Sequence, residues 1–258
     1  MITINGYQIK PTIFPDGTSQ IWKLPEELFR AELTQFVWNF EHEREIIDLC
    51  SAVLLLQTPF PKTLHMPYLP YARQDKGISN ESTFNLEVLA GIINQLDFDK
   101  VTAVDAHNPK ACRTMFYNFE NIPVTNIHQQ VLSVFQPDTI AFPDLGALDR
   151  YGGSFHGDTM IFDKKRDQAT GNIVGHKISG GSYDQPFRVL IVDDLCDGGA
   201  TFISVAKAIH EEINPSTEVG LYITHGIFSR GREHLLNNGI SKIFTTNSLL
   251  KNSDGYKV

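Results

Sequence analysis

The segment FRVLIVDDLCDGGATFISVAKAI, residues 187–209, constrains the fold more than any other part of the chain. A run of Val, Leu and Ile predicts a buried strand, two carboxylates follow it, and two glycines lead into a segment with helical spacing. A buried strand joined to a helix by a short turn is the repeating unit of sheets with parallel strands. We therefore expect an α/β fold with a mostly parallel sheet.

The rest of the chain repeats this alternation. Further apolar runs lie at 64–71, 100–106, 138–142, 159–163, 219–225 and 242–246. Helical spacing is present from Leu86 to Leu96 and from Phe202 to Ile213. The turn-rich sequence before QPDTIAFPDLG predicts two α/β domains, 1–135 and 136–258. Segment 164–186 has the weakest periodicity and is predicted to be a long loop, of the kind that forms lids.

Composition favours an ordered globular protein, because 41% of the 258 residues are hydrophobic and 20% are charged. A net charge of −8 argues against nonspecific nucleic-acid binding, so we expect no nucleic-acid partner.

The cellular compartment can be predicted from the cysteines and the apolar runs. Cys50, Cys112 and Cys196 have no C-x-x-C spacing, which indicates a reducing compartment. The N-terminus lacks a signal-peptide pattern, and every apolar run is too short to span a bilayer. These observations predict a cytoplasmic protein with no membrane partner.

Two features of the 187–209 segment suggest a binding site. Asp193 and Asp194 would lie at the carboxyl end of a strand, where they can hold vicinal sugar hydroxyls or a metal. The loop after them can surround a phosphate with backbone N–H groups; it consists of Asp197, Gly198, Gly199, Ala200 and Thr201. The alternative is a buried strand ending in a hydrated turn, with Thr201 as a simple helix cap. Cys196 is interpreted as a small packing residue rather than a nucleophile.

The sequence VLIVDDLCDGGAT resembles the phosphoribosyl-pyrophosphate loop of type I phosphoribosyltransferases and phosphoribosyl-pyrophosphate synthetases. MPYLPYARQDK at 66–76 is similar to the ATP-side motif of the synthetases. Other segments resemble synthetase motifs in the same order: FPDGTSQ at 14–20, AVDAHNPK at 103–110, FPDLGAL at 142–148 and IFDKKR at 161–166. The resemblance covers about residues 12 to 248 and implies two tandem phosphoribosyltransferase-like domains, an N-terminal ATP-side domain and a C-terminal domain that binds ribose phosphate.

The resemblance implies that Arg73, Gln74 and Asp75 contact ATP, and that Phe14 and Asp16 hold the adenine of a neighbouring subunit's nucleotide. A homo-oligomer with a shared adenine site follows from this arrangement. The chemistry is suitable, because an Arg fork matches phosphate and an aromatic ring beside a carboxylate can stack on a base. Considered alone, YARQD at 71–75 is as well explained by an exposed polar loop, and Phe14 by a core position.

The resemblance also assigns His107 to ATP and metal binding and to catalysis, Asp144 to Mg²⁺ binding, and Lys164 and Arg166 to catalysis. Mg²⁺ prefers oxygen ligands, so Asp144 is the better metal ligand on chemical grounds, and a lone His is more often structural. Phosphoryl transfer needs positive charge where negative charge develops, which Lys164 and Arg166 can supply from a mobile loop. The alternative for this pair is a solvated basic run at a strand end.

Together these motifs imply an enzyme of the ribose-phosphate diphosphokinase type. Such an enzyme transfers the β,γ-diphosphate of Mg-ATP to the anomeric hydroxyl of ribose 5-phosphate, giving phosphoribosyl pyrophosphate and AMP. Compared with the family, the chain looks short at both ends and after Arg166, and Gly198 stands where the family usually has Thr. A missing side chain there suggests one alternative, a larger acceptor such as ADP-ribose. Another alternative is a noncatalytic, synthetase-associated regulator.

Overall fold

The computed structural model describes residues 1–75, 82–166, 173–185 and 187–249. Within these ranges the side chains of Lys165, Arg166, Ile173 and Val174 are not described. Contacts divide the chain into two compact units, Met1–Pro123 and Val124–Val258. Each unit has its own sheet and its own hydrophobic core.

The first unit is built around a mostly parallel sheet. Its strands are β1 (Ile2–Ile4), β2 (Tyr7–Gln8), β3 (Thr12–Ile13), β4 (Ser19–Gln20), β5 (Thr34–Trp38), β6 (Lys62–Met66), β7 (Lys100–Val104) and β8 (Phe119–Ile122). Its helices are α1 (Glu26–Phe29), α2 (Glu45–Leu55), α3 (Asn85–Gln95) and α4 (Pro109–Met115). The sheet order is β2-β1-β5-β6-β7-β8, with parallel pairs from β5 to β8 and antiparallel pairs at β1. Strands β3 and β4 form a separate hairpin.

Helix α3 illustrates how the sequence pattern produces this unit. The helix buries Leu86, Leu89, Ala90 and Ile93, which recur every three or four residues and so share one face. That face packs into the core that covers the sheet. Strand β1 precedes the FPDG hairpin and pairs with β5, so the chain before the hairpin adds a strand to the sheet.

The second unit contains the 187–209 segment. Its strands are β9 (Thr139–Phe142), β10 (Asp158–Arg166), β11 (Ile173–Ser182), β12 (Arg188–Cys196), β13 (Glu218–Gly226) and β14 (Lys242–Thr245). Its helices are α5 (Thr125–Phe135), α6 (Leu145–Tyr151), α7 (Ala200–Glu212) and α8 (Arg232–Leu236), with a 3-10 turn at Gly152–Ser154. The sheet order is β11-β10-β9-β12-β13-β14, and every pair except β10–β11 is parallel. The predicted α/β class with mostly parallel sheets is confirmed.

The long loop predicted at 164–186 is wrong for most of its described residues. Strand β10 continues to Arg166, and β11 pairs with it antiparallel from Ile173 to Ser182. The composition concealed the strand, because Gly175, Gly180 and Gly181 interrupt the apolar alternation that marks β structure. Gly181 is required by a tight approach, since a Cβ there would lie 2.0 Å from the Thr159 carbonyl oxygen.

Helix α5 packs with the second unit, although the predicted boundary at 135/136 assigned it to the first. The ring of Phe135 packs edge-on to Phe244 with centroids 5.9 Å apart. A Cβ at Gly220 would lie 2.8 Å from the Phe135 ring, so the β13 backbone accepts this ring only because residue 220 is glycine. The contacts of Phe135 therefore explain why the units divide after Pro123.

Candidate active site

The carboxyl ends of β9, β10 and β12 bring several predicted residues to one edge of the second sheet. Asp144 follows β9, Lys164 lies near the end of β10, and Asp193 and Asp194 lie near the end of β12. These strands are parallel neighbours, so their ends meet at the same edge. The structure joins two of the residues directly, because the Lys164 Nζ lies 3.5 Å from the Asp144 Oδ2.

Asp144 is held by the helix that follows it. Its Oδ1 accepts a hydrogen bond of 3.0 Å from the Ala147 backbone N–H and so caps α6. The cap fixes the orientation of the carboxylate and leaves Oδ2 for Lys164. The side chains of Asp144 and Lys164 are 44% and 39% exposed, so a ligand can reach both.

The carboxylate pair on β12 has a cationic partner that could not be identified from the sequence. The Arg150 Nη1, from α6, lies 2.9 Å from the Asp194 Oδ1, and these side chains are only 17% and 6% exposed. A buried carboxylate needs such a cation, because removing an unpaired charge from water is costly. The sequence held one signal for this pairing: Asp194 lies near the end of a buried strand and so needs a cation, and α6 follows a strand that the fold class places nearby.

Asp193 differs electrostatically from its neighbour. Its pKa is raised well above the ordinary value by burial and by the negative charge of Asp194. Its Oδ1 also accepts a 2.9 Å hydrogen bond from the Asp194 backbone N–H. The pair thus combines one carboxylate neutralised by Arg150 with one carboxyl that retains a proton more readily. Both groups have oxygens that can accept hydrogen bonds from hydroxyl groups.

The loop from Asp197 to Thr201 has the backbone expected of a phosphate site. Gly199 adopts φ +80°, and a Cβ there would lie 2.6 Å from the Leu235 Cδ2, so glycine is required. Helix α7 begins at Ala200, and its cap residue, Gly199, offers no side-chain acceptor to the first-turn N–H groups. Thr201 lies inside the first turn and is not the cap, which contradicts the simple-cap alternative.

Cys196 is fully buried at the end of β12, and burial, followed by the charges of Asp197 and Asp193, raises its pKa to about 12. A thiol with this pKa stays protonated at neutral pH and is a poor nucleophile. Its position in the core agrees with the packing role inferred from the sequence.

His176 is a second residue that no sequence motif marked. It is the cross-strand partner of Lys164 in the β10–β11 hairpin and is 8% exposed. Neither ring nitrogen has a hydrogen-bond partner among the residues that the structure describes. Burial lowers the pKa of His176, and the charge of Lys164 lowers it further. A neutral imidazole therefore lies beside Lys164 and adds no competing positive charge.

In the first unit the structure joins two predicted ATP-side segments. The Asp75 Oδ2 accepts a 2.7 Å hydrogen bond from the Asn108 Nδ2, and the Asn108 Oδ1 caps α4 by accepting from the Ala111 N–H at 3.1 Å. Asn108 follows His107, which is half-buried beyond the end of β7. Arg73 and Gln74 precede Asp75 on an exposed turn, so all four predicted residues lie in one region.

The predicted adenine hairpin exposes its aromatic residues. Phe14 is 37% exposed, so it is not a core residue, and Trp22 lies edge-on to it with 6.5 Å between ring centroids. The Asp16 Oδ1 accepts hydrogen bonds from the Thr18 hydroxyl at 2.7 Å and the Thr18 N–H at 3.0 Å, which lower the pKa of Asp16. Trp22 was not predicted from the sequence, although it lies only a few residues beyond the hairpin motif.

The Arg166 side chain lies outside the described part of the structure. Its predicted catalytic role therefore stays a prediction.

The two predicted metal ligands lie in different units, His107 in the first and Asp144 in the second. Within the described ranges no group of three or more His, Cys, Asp or Glu residues is placed to hold a metal ion. In the same ranges no helix has both the length and the apolar character needed to cross a bilayer.

Comparison with known proteins finds similarity to ribose-phosphate pyrophosphokinases, although no protein-family model matches the chain. A ribose-phosphate pyrophosphokinase from Sulfurisphaera tokodaii is 24% identical over 266 residues, covering 96% of this chain and 87% of that protein. One from Maricaulis maris is 27% identical over 220 residues, covering 80% of this chain and 66% of that protein. The crystal structure of phosphoribosylpyrophosphate synthetase from Mycobacterium smegmatis matches with a TM-score of 0.76 at 16% identity, covering 96% of this chain and 83% of that one.

The two sheets, the glycine loop before α7 and the carboxylate pair on β12 define a protein with the type I phosphoribosyltransferase fold. The similarity to ribose-phosphate pyrophosphokinases extends over 96% of the chain in the Sulfurisphaera comparison and therefore includes both units. The chain is therefore similar to ribose-phosphate pyrophosphokinases in sequence over both units and has the fold of a phosphoribosylpyrophosphate synthetase.

Proposed function

We propose that this chain transfers the β,γ-diphosphate of ATP to the anomeric hydroxyl of ribose 5-phosphate, producing phosphoribosyl pyrophosphate and AMP. One observation supports this proposal most strongly: a lysine, a carboxylate pair and a phosphate loop share one edge of the second sheet. These groups match the positive charge, the hydroxyl ligands and the phosphate ligands that the reaction needs.

The acceptor sugar binds to the second unit. The 5-phosphate accepts hydrogen bonds from backbone N–H groups of the 197–201 loop, where the N-terminus of α7 also favours negative charge. Asp193 and Asp194 bind the vicinal ribose hydroxyls. Arg150 positions Asp194 through their ion pair, so the ribose hydroxyls meet a carboxylate of fixed orientation.

The transfer is an in-line displacement at the β-phosphorus. The anomeric oxygen forms the new O–P bond, the bond from the β-phosphorus to the α,β-bridging oxygen breaks, and AMP leaves with that oxygen. The hydroxyl proton passes to solvent or to a basic group. Lys164 stabilises the negative charge that develops on the transferred group, with Arg166 as its expected partner. No covalent enzyme intermediate is needed.

ATP binds through residues of the first unit. Arg73 offers a planar fork to the phosphates, and Gln74, Asp75 and His107 lie in the same region. Phe14 and Asp16, on the exposed hairpin, hold the adenine of a neighbouring subunit's nucleotide, which requires a homo-oligomer. Light scattering tests this part of the proposal, because a monomer under assay conditions would exclude a shared adenine site.

Asp144 would hold the Mg²⁺ that accompanies the nucleotide, because Mg²⁺ prefers oxygen ligands. The Asp144 Oδ1 caps α6, and the Oδ2 would be available to the ion once Lys164 turns to the transferred diphosphate. His107 is the other predicted ligand. Mg²⁺ usually keeps several waters and binds substrate phosphates, so nucleotide phosphates and water would complete its coordination. When bound, it would neutralise charge on the nucleotide phosphates.

The proposal includes a cytoplasmic location. Cys112 and Cys196 are buried as free thiols, and Cys50 is a free, half-buried thiol. Three unpaired cysteines are better suited to a reducing compartment than to an oxidising one.

The test is chromatographic detection of AMP formed from ATP, Mg²⁺ and ribose 5-phosphate. The proposal predicts AMP and phosphoribosyl pyrophosphate in equal amounts, with no ADP. The noncatalytic alternative predicts binding of these ligands without consumption of ATP. Asp193→Asn and Asp194→Asn serve as paired variants, and each should reduce turnover while the protein remains folded by circular dichroism.

A further inference from the structure

Gly198 is a glycine that the backbone does not require. Its φ lies outside the left-handed region, and a Cβ there would meet its nearest neighbours at ordinary contact distances of 3.7 to 3.8 Å. Gly199 next to it shows the opposite case, with φ +80° and a 2.6 Å clash. The loop could therefore carry a side chain at residue 198, and its glycine leaves the Arg230 side chain uncovered on that side.

Arg230 lies directly beside Gly198. The atoms nearest to a Cβ at Gly198 are the Arg230 Nε at 3.7 Å, the Arg230 Cδ at 3.8 Å and the Ser229 Oγ at 3.8 Å. The segment before these residues is tied to the strand that leads into the phosphate loop. Ile227 and Phe228 both donate backbone hydrogen bonds to the Cys196 carbonyl oxygen, at 2.9 and 3.2 Å. Arg230 is thus held beside the loop by main-chain contacts.

Arg230 also has no carboxylate within ion-pair distance among the described residues. It is exposed, on a chain whose net charge is −8. A guanidinium presents five N–H donors in a planar fork and binds phosphoryl oxygens well. In the proposed function the loop N–H groups bind one phosphate, so the Arg230 donors remain for a second anionic group next to it.

We infer that Arg230 binds a second phosphoryl group attached to the 5-phosphate of the acceptor. The chain then also uses riboses whose 5-phosphate is part of a diphosphate ester. The inference rests on the proposed function, because the same loop and the same transfer reaction are involved. It identifies Arg230 as a specificity residue, reached by the longer group beside Gly198.

The experiment compares ribose 5-phosphate with ADP-ribose, the probe for a diphosphate ester, using ATP labelled in its adenine. Labelled AMP is then distinct from AMP released by hydrolysis of ADP-ribose. We expect wild-type protein to release labelled AMP with both acceptors. Arg230→Ala should raise the KM for ADP-ribose, lowering kcat/KM for ADP-ribose relative to ribose 5-phosphate by about tenfold or more, as for loss of a hydrogen bond to a charged group. Arg230→Lys keeps the charge without the fork and should be intermediate.

Arg232→Ala is the matched control, because it removes the same charge two residues further along the chain. It should leave the ratio of the two kcat/KM values within about twofold, as expected for a substitution away from the ligand. Two results would overturn the inference and leave the proposed function intact. One is AMP release with ribose 5-phosphate and none with ADP-ribose. The other is an equal loss with both acceptors in Arg230→Ala, which would place Arg230 on the 5-phosphate itself.

If neither acceptor gives AMP, the proposed function fails, and calorimetric binding of ADP-ribose decides the inference separately. Binding by the wild type that weakens about tenfold or more in Arg230→Ala supports the second phosphoryl contact. Absent binding, or binding equal in wild type and variant, overturns it.

Discussion

The Lys164 ammonium lies 3.5 Å from one oxygen of Asp144, while the other oxygen of that carboxylate caps helix α6. The helix cap thereby fixes the carboxylate that positions the lysine. Both side chains remain about half exposed. In the proposed reaction the ion pair orients Lys164 before ATP binds, and the transferred diphosphate then replaces Asp144 as the partner of the lysine.

Lys164→Met should reduce kcat by about 100-fold or more, the usual cost of removing one charged group that stabilises a transition state. The KM for each substrate should change much less, because the charge acts where negative charge develops. Lys177→Met is the matched control on the neighbouring strand and should retain turnover. Steady-state kinetics measures both variants, and a change confined to KM would remove Lys164 from the catalytic role.

Arg150→Met should lower the free energy of unfolding by about 3 to 5 kcal/mol, because it leaves the Asp194 carboxylate buried without its cation. Adding Asp194→Asn to the same chain should recover part of that loss, since the unpaired charge is then removed. Activity should not recover with stability, because Asp194 is a proposed ribose ligand. Urea unfolding of the single and double variants tests this coupling, and additive losses would contradict the ion pair.

His128 predicts a pH dependence of stability. Its ring is 2% exposed and packs against Tyr151, Phe155 and Tyr222, with no hydrogen-bond partner at either nitrogen among the described residues. Burial lowers its pKa from 6.5 to about 4. Between these values the unfolded chain binds a proton that the folded chain excludes. The contribution of neutral, buried His128 to the free energy of unfolding is therefore fully present above pH 6.5. It is lost as the pH falls towards 4, by about 1.4 kcal/mol per pH unit.

His128→Phe keeps an aromatic ring in the same box and removes the titrating group. The variant should lose that part of the pH slope, as measured by urea unfolding between about pH 7 and about pH 4.5, where the folded and unfolded chains differ in bound protons. An unchanged slope would mean that His128 does not exclude the proton in the folded state.

The two loop glycines should respond differently to alanine. Gly199→Ala should destabilise the fold by about 1 to 2 kcal/mol or more, because of its φ of +80° and the clash with Leu235. Gly198→Ala should change the free energy of unfolding by no more than about 0.5 kcal/mol, since its Cβ has room. Thermal and urea unfolding measure the difference, and equal effects would contradict the assigned loop geometry.

Phe14→Ala should raise the KM for ATP by about tenfold, the effect of losing one stacked base. Tyr117→Ala, another exposed aromatic of the first unit, is the control and should not alter the KM. If Phe14→Ala instead leaves the KM for ATP unchanged, the hairpin does not bind adenine.

Much of this fold followed from the sequence because its signals are local. The spacing from Leu86 to Ile93 predicted α3, and the apolar run before Asp193 predicted β12. Strand β11 was missed because its glycines hide the period of two that marks a strand. The boundary between units was displaced because the contact of Phe135 with Gly220 joins residues far apart in sequence.

A motif in the sequence was enough to propose Lys164 and the 197–201 loop as site residues. Arg150 and His176 were not, since each acts through a partner on another strand or helix. Arg230 likewise reaches the loop only through the fold, by way of the hydrogen bonds at the Cys196 carbonyl. A residue whose partner in the site lies far away in sequence can be identified only from the structure.

Diphosphate transfer is tested most directly with ATP labelled at its β-phosphorus, together with Mg²⁺ and ribose 5-phosphate. We expect the label to move to the sugar as its 1-diphosphate, while the nucleotide product is unlabelled AMP. Label that remains in ADP, or in unreacted ATP after prolonged incubation, would contradict diphosphate transfer by this chain.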